Sequence, residues 1–533
     1  MISAQAVSAS GARTGRAGDF AGFRTRWALL ISVAGGLAVF ASFPPIDAWP
    51  LAALGPALLV VALAGRSLRA SFGCGLLFGL ALFVPLLSWL VNVAWYGWFA
   101  LAGAESVIFA VLAVGQRLLL RLRWWPAAVA GWWVTVEALR DRWPFAFPWG
   151  RLAMSQSVAP DVRWVAIGGA PLLTFLVALT GAVLARAVLA AMGAGGWRSR
   201  RSALAVLAAV VTGGLVLAGG LLPADPTGGA PTARVAAIQG NVPRARNLPQ
   251  QLNDTRVTQN HAAATLKLAA QVRAGRLAAP DLVIWPENAT DLDPFQNPAI
   301  YAELATTVNA VGRPVLVGEV LNGPRRNVGQ LWLPGRGPTT LYVKRQLVPF
   351  GEYIPFRGLI SSFSSLPSLQ PVDFTAGRRA VVFDAGKIRL GDVICYEVGF
   401  DNLVRSEVTA GANLLAVQSN DADFEIDGQL GETEQQTAMA RIRAVESDRA
   451  VVYASTTGES TIIAPDGGLI AHSGVWQRAI LDARVPLVSY RTLADRLGGW
   501  PEYVLVLLTV LALGWAAVAP VRGRRRAKIT ESS

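Results

Sequence analysis

Apolar residues crowd into two parts of this 533-residue chain. Near-continuous runs fill 26–44, 48–65, 70–91, 96–117, 124–140, 164–193 and 203–223, and one last run fills 500–520. Most reach the roughly 20 residues a helix needs to cross hydrocarbon; 48–65 and 124–140 are marginal. The pattern predicts eight spans. Arginines precede the first run, but Pro44 and Pro45 follow it where a cleavage site would need small residues, so it reads as an anchor.

Between the seventh and eighth runs the pattern changes. Pro223, Pro226, Gly228, Gly229 and Pro231 mark a linker. Beyond it, short apolar runs at Val235–Gln239, Leu282–Trp285, Val315–Val317, Val393–Cys395, Leu414–Val417 and Val451–Ala454 predict buried strands. Stretches 250–275, 298–310 and 432–448 carry helical spacing, and Gln330–Leu333 and Leu341–Lys344 add shorter strands. Such alternation predicts an α/β domain with helices covering mixed sheets. The expected division is a segment 1–25, a seven-span membrane domain 26–223, a soluble domain 224–498, an eighth span 499–520 and a basic tail 521–533.

Composition agrees. The chain is 53% hydrophobic and only 16% charged, with a mean hydropathy of +0.41, which marks a membrane protein. Charge then orients it. Arg13, Arg16, Arg24 and Arg26 precede the first run; Arg66 and Arg69, then Arg117, Arg121 and Arg123, then Arg198, Arg200 and Arg201 follow the second, fourth and sixth. Arg522, Arg524, Arg525, Arg526 and Lys528 follow the last, while 44–47 and 91–95 carry no Lys or Arg. The positive-inside rule puts both termini in the cytoplasm and 224–498 outside it. Loop 141–163, with Arg142, Arg151 and Arg163, is the exception. The net charge of +13 is then largely cytoplasmic-loop charge, and a nucleic-acid partner is not expected.

Candidate chemistry sits at strand ends. Cys395 closes Gly391-Asp392-Val393-Ile394-Cys395-Tyr396-Glu397, and the other cysteine, Cys74, lies in an apolar run. Alone, such a cysteine is more often a small buried hydrophobe. An unpaired thiol outside the cytoplasm usually has a purpose, however. Glu287 follows Trp285-Pro286, whose apolar surface would raise its pKa and improve it as a base. Lys344 reads as a surface lysine until its neighbours are counted: Pro349-Phe350-Gly351-Glu352-Tyr353-Ile354-Pro355-Phe356 is too aromatic for a plain exposed loop. Base, cation and thiol are what attack on an acyl carbonyl requires. His261 and His472 belong to no motif, and no zinc spacing, phosphate loop or dinucleotide fingerprint occurs, so neither metal nor cofactor is expected.

Glu287, Lys344 and Cys395 in this order resemble the nitrilase superfamily. A domain of that kind between the seventh and eighth of eight spans resembles the apolipoprotein N-acyltransferase family. Ile238-Gln239-Gly240-Asn241, Pro349–Tyr353, Ile394–Glu397, Ser419-Asn420-Asp421-Ala422, Ala440–Glu446, Phe147-Pro148-Trp149-Gly150 and Gly499-Trp500-Pro501 fit its pattern. The resemblance implies an α-β-β-α sandwich beside the membrane helices. It implies transfer of a fatty acyl chain from a phospholipid to the N-terminal amine of a diacylglyceryl lipoprotein, through a thioester. By the same resemblance Glu287 is the base, Lys344 the oxyanion partner and Cys395 the nucleophile. Glu352, Glu397 and Tyr396 support them, with Glu352 and Glu397 positioning Lys344 and the site. Tyr353, Ser419, Asn420, Asp423 and Phe424 are expected at the substrate. A monomer in a bacterial inner membrane, its catalytic domain on the extracytoplasmic face, is the expected setting.

Two departures bear on acceptor docking. Asp423 stands where the family usually has tryptophan, and Gln435 and Gln436 stand near a usual histidine. Segment 358–374, with Leu359, Ile360, Phe363, Leu366 and Leu369, reads as a lipid-dipping lid or a packed loop. A membrane-anchored amidase and an inactive scaffold are alternatives. A transporter would need polar groups in the spans, for which Glu105 and Glu137 are the candidates.

Overall fold

The computed structural model describes residues 25–193, 196, 199–222, 229–243, 250–362, 370–424 and 431–518. Arg13, Arg16, Arg24, Arg198, the linker residues Pro223, Pro226 and Gly228, the segment residues Phe363, Leu366 and Leu369, and the tail 521–533 lie outside them.

Seven helices come first: α1 (Thr25–Ala41), α2 (Leu51–Leu63), α3 (Leu68–Leu86), α4 (Val91–Leu119), α5 (Trp125–Arg140), α6 (Val165–Ala191) and α7 (Arg200–Leu217). Among the described residues, five helical stretches are long and apolar enough to cross a membrane: Leu68–Leu86, Ser88–Leu119, Pro160–Ala191, Arg200–Leu221 and Trp500–Val518. The expected eight are not reached on that measure. Helices α1 and α2 are apolar but short, and α5 has 16 residues. Helices α3 and α4 approach closely at Gly75 and Gly79, where a Cβ would meet Ala110 and Ser106 at 2.7 and 2.6 Å from their Cα atoms. Glu105 pairs with Arg140, and Glu137 accepts from Trp133 Nε1, Thr174 Oγ1 and the Leu152 amide. These acids tie helices and loops together.

The middle of the chain continues with β1 (Thr232–Gln239), α8 (Gln250–Arg273), β2 (Leu282–Ile284), α9 (Pro298–Val311), β3 (Val315–Leu321), β4 (Arg326–Leu333), β5 (Gly337–Val343) and a short α10 (Arg357–Ile360). Then come β6 (Val382–Ala385), β7 (Ile388–Ile394), α11 (Asp401–Thr409), β8 (Leu414–Ser419), α12 (Glu432–Ser447), β9 (Val451–Ser455), β10 (Thr461–Ile463), β11 (Leu469–His472), β12 (Ala479–Pro486), α13 (Leu493–Leu497) and α14 (Trp500–Val518). They form two six-stranded sheets, ordered β12-β1-β2-β3-β4-β5 and β11-β10-β9-β8-β7-β6. Strands β1, β2 and β3 run parallel, as do β7, β8 and β9; the outer pairs are antiparallel. The central strands are covered on both faces, which is why they read as continuous apolar runs.

Alternation along the strands builds the layers. Val235, Ala237, Ile284, Ile394, Ala416 and Val452 face the space between the sheets. Ala236, Ile238, Val283 and Trp285 turn outward and meet Leu268, Leu304 and Val308 of α8 and α9. On the opposite outer face, Val393, Val417 and Tyr453 pack with Ile442 and Val445 of α12. That layer is continuous with the membrane helices: the same core includes Phe83, Trp89, Trp149 and Leu173. The result is an α-β-β-α sandwich seated on the helical bundle.

Of the three arginines that broke the charge pattern, Arg151 and Arg163 join the bundle to the sandwich and Arg142 ties it to the last helix. Arg151 pairs with Asp401 at 2.8 Å, Arg163 with Asp448 at 2.8 Å, and Arg142 with Glu502 at 2.5 Å. Helix α6 is interrupted at Gly168 and Gly169, and Glu446 Oε1 lies 3.0 Å from where a Gly169 side chain would begin. The break lets a carboxylate of α12 approach.

Candidate active site

The parallel strands deliver their C-terminal ends to one place, the usual position for a site in such sheets. Glu287 lies three residues past β2, Cys395 directly after β7 and Asn420 directly after β8; Lys344 follows β5. Lys344 Nζ donates to Glu287 Oε1 and to Glu352 Oε1, each at 3.0 Å, and is 1% exposed. Asn327 Nδ2 bridges the same two carboxylates at 2.6 and 2.9 Å. The other oxygen of Glu287 accepts from the Asn420 amide at 2.9 Å. Both catalytic-type charges are thus fixed in place by partners from four separated stretches of chain.

Cys395 is 7% exposed and has φ 52°, a left-handed conformation that costs a non-glycine residue about 1 kcal/mol or more. Glu397, two residues on, holds the turn. Its oxygens accept from the amides of Ile394, Arg345 and Gln346 at 2.8, 2.7 and 3.0 Å and from the Tyr342 hydroxyl at 2.7 Å. Glu397 thus binds the backbone just before the cysteine and just beyond the lysine, while Glu352, with Glu287, touches the ammonium itself. Tyr396 points to the membrane helices. Its hydroxyl donates to the Ala146 carbonyl at 2.7 Å, and its ring stacks on Trp149 at 5.5 Å.

The remaining candidates divide. Asn420 contributes its backbone; its side chain accepts from Thr456 Oγ1 at 2.7 Å. Ser419 is turned to Asp421 at 2.5 Å, away from Glu287. Tyr353 is half-buried, its carbonyl accepting from the Phe350 amide at 2.7 Å. Asp423 is exposed. Phe424 packs edge-on against Trp89, ring centroids 5.1 Å apart, and its carbonyl accepts from Asn92 Nδ2 at 2.7 Å. Asp423 and Phe424 thus border the bundle, and Ser419 supports the site from behind.

Two neighbours of the chemistry were not assigned roles from sequence. Asn327 is one; its signal is an amide inside an otherwise buried strand. Gln436 is the other, with Nε2 3.5 Å from Cys395 Sγ. Its place near an expected histidine was the available clue.

Burial pushes Glu287 above the usual carboxylate range, with Lys344 opposing and Glu352 reinforcing. Burial works against the Lys344 charge, but Glu287 and Glu352 win and hold the ammonium well above its ordinary value. Burial, then Glu287, pushes the Cys395 thiol well up, while Lys344 pulls it down. The charges of the Glu287–Lys344 ion pair thus act on the buried thiol in opposite directions. Among the described residues no group of three or more His, Cys, Asp or Glu is placed to hold a metal ion. His261 lies on α8 against Trp285, its Nδ1 2.8 Å from the Val257 carbonyl, and burial lowers its pKa to about 4.

Residues 35–183 match the apolipoprotein N-acyltransferase N-terminal domain, and residues 234–495 match the carbon-nitrogen hydrolase family. An apolipoprotein N-acyltransferase of Mycolicibacterium smegmatis is 38% identical over 94% of this chain and 88% of its own length. One of Azotobacter vinelandii is 31% identical over 94% of this chain and 95% of its own. A solved amidase of the nitrilase superfamily from Nesterenkonia is 18% identical with a TM-score of 0.37, covering 51% of this chain and 96% of that one. With the helical half and the sandwich half each matched, and relatives aligned across nearly the whole length, the chain belongs to the apolipoprotein N-acyltransferase family.

Proposed function

We propose that this protein moves a fatty acyl chain from a membrane phospholipid to the N-terminal amine of a diacylglyceryl-cysteine lipoprotein, through a thioester on Cys395. The carrying observation is Lys344, buried between Glu287 and Glu352 at 3.0 Å from each, beside a buried thiol whose neighbour Tyr396 stacks on the membrane bundle. Glu287 takes the thiol proton. The sulfur attacks the ester carbonyl, Lys344 offsets the oxyanion charge, and the C–O bond breaks. The proton on Glu287 goes to the departing lysophospholipid. The acceptor amine then attacks the thioester, gives its proton to Glu287, and the C–S bond breaks. Cys395 recovers that proton as it leaves.

A lipid donor and a lipid-bearing acceptor suit a thiol whose neighbour in sequence, Tyr396, stacks on Trp149 beside the helix layer. The arginine asymmetry supports a catalytic domain on the extracytoplasmic face of the membrane. A monomer is the proposed working unit. The test is mass spectrometry of the purified protein with phospholipid. Cys395 is expected to gain one acyl group and to lose it when a diacylglyceryl peptide is added, which becomes N-acylated. Release of free fatty acid with no acylated peptide would establish an amidase-like hydrolase instead.

A further inference from the structure

Strand β5 is the outermost strand of its sheet, so alternate residues turn their N–H and C=O groups away from β4. The stretch 377–381 passes that edge on its way to β6, its Gly377 amide donating to the Lys344 carbonyl at 2.8 Å. Between them lies an open groove of about 860 Å³, bordered by Arg326, Thr340, Leu341, Val343, Arg378 and Arg379. Its lining includes three arginines and no acid. Arg326 Nε is buried without a hydrogen-bond partner among the described residues, and Arg378 and Arg379 are exposed. At Val343 the groove is one residue from Lys344.

We propose that this groove binds an extended, acidic stretch of the acceptor polypeptide by strand addition to β5. The two halves of the lining select that partner together. A free strand edge is matched by another peptide backbone, which a lipid headgroup cannot supply. Three guanidiniums without acids are matched by carboxylates on that peptide. Val343 of the groove adjoins Lys344, and an extended chain covers about 3.3–3.6 Å per residue, so residues beyond the reacting amine are the ones assigned to it. The inference rests on the acyl-transfer reading and adds a sequence preference among acceptors.

The experiment uses the full-length protein in detergent with three diacylglyceryl-cysteine peptides: one with Asp and Glu after the cysteine, one with Ser and Gly, and the acidic one N-methylated at alternate residues. The expected result is a KM for the acidic peptide about fivefold to tenfold below the neutral one, as a few partly exposed ion pairs allow. N-methylation should remove most of the advantage. In an Arg378→Glu, Arg379→Glu variant the preference should vanish or reverse, with Cys395 acylation by phospholipid unchanged. Equal KM values for acidic and neutral peptides in the parent protein would overturn the groove assignment and leave the transferase reading intact. Loss of Cys395 acylation in the folded variant would assign the groove to the donor lipid and overturn it too. Failure of the parent to acylate any peptide would remove the transferase reading and this inference with it.

Discussion

Cys395 is held in a left-handed turn by Glu397, and Glu287 is the proposed acceptor of its proton. Cys395→Ser is expected to lose at least about a thousandfold in thioester-dependent turnover, because a hydroxyl facing a carboxylate is a far weaker nucleophile than a thiolate. The check is single-turnover acylation by phospholipid. The pH profile of that step carries a sign. In its proposed role Glu287 acts as a base only when ionised, and burial lifts its pKa, so acylation should rise with pH through a midpoint above the ordinary carboxylate range. Glu352 contributes to the lift, so Glu352→Gln should move the midpoint to lower pH. An unmoved midpoint would mean another group sets the limb. The positions of Glu287, Lys344 and Cys395 could be read from sequence because each ends a strand-like run. Asn327 could not, since what makes it important is a cross-strand approach to Glu287 and Glu352. Nor could the Asn420 amide's bond to Glu287, because a motif names side chains and this contact is made by the backbone.

At the scale of elements, the layer between the first sheet and helices α8 and α9 holds a buried acid. Glu319 of β3 is buried, accepts from Trp332 Nε1 at 2.7 Å, and has its pKa raised to about 8, chiefly by burial. Folded Glu319 stays protonated where the unfolded chain, near 4.5, has ionised. The folded state therefore binds the extra proton between roughly pH 4.5 and 8, and stability falls as pH rises through that window. Glu319→Gln removes the titration. Its melting temperature relative to the parent should climb with pH from about 5 to 8, checked by thermal scans of the purified protein. A constant difference would rule out the neutral acid. The strands, their alternation and the helices α8, α9 and α12 were legible because apolar periodicity reports burial directly. Span number was less so. Hydropathy marks apolar runs, but Pro44-Pro45 and Gly65-Arg66 cut the first two helices short, and the turn chemistry that stops a helix is only partly visible in an apolar run.

Across the whole molecule, two halves share one hydrophobic core and a set of buried ion pairs. Arg151 is the centre: it reaches Asp401 at 2.8 Å and Asp141 at 3.2 Å. Removing one partner of such a pair typically costs about 3–5 kcal/mol. Asp401→Leu should therefore lower the melting temperature and increase protease cleavage between the halves, with limited proteolysis as the readout. Topology gives a second check. A reporter active only outside the cytoplasm should work when fused after Pro226 and fail after Arg526; the reverse would overturn the orientation. The charge rule was hard to apply at 141–163 because it counts arginines and cannot see their partners. Those partners, Asp401, Asp448 and Glu502, stand between 250 and 360 residues further along. A ribosome that has finished the first seven helices has therefore made three guanidiniums before Asp401, Asp448 and Glu502 exist, with Asp141 already beside Arg151. The helical half emerges as an unfinished object, completed only when the last helix is synthesised, and a chain cut short before Asp401 would present quality-control proteases with a membrane domain that has never closed.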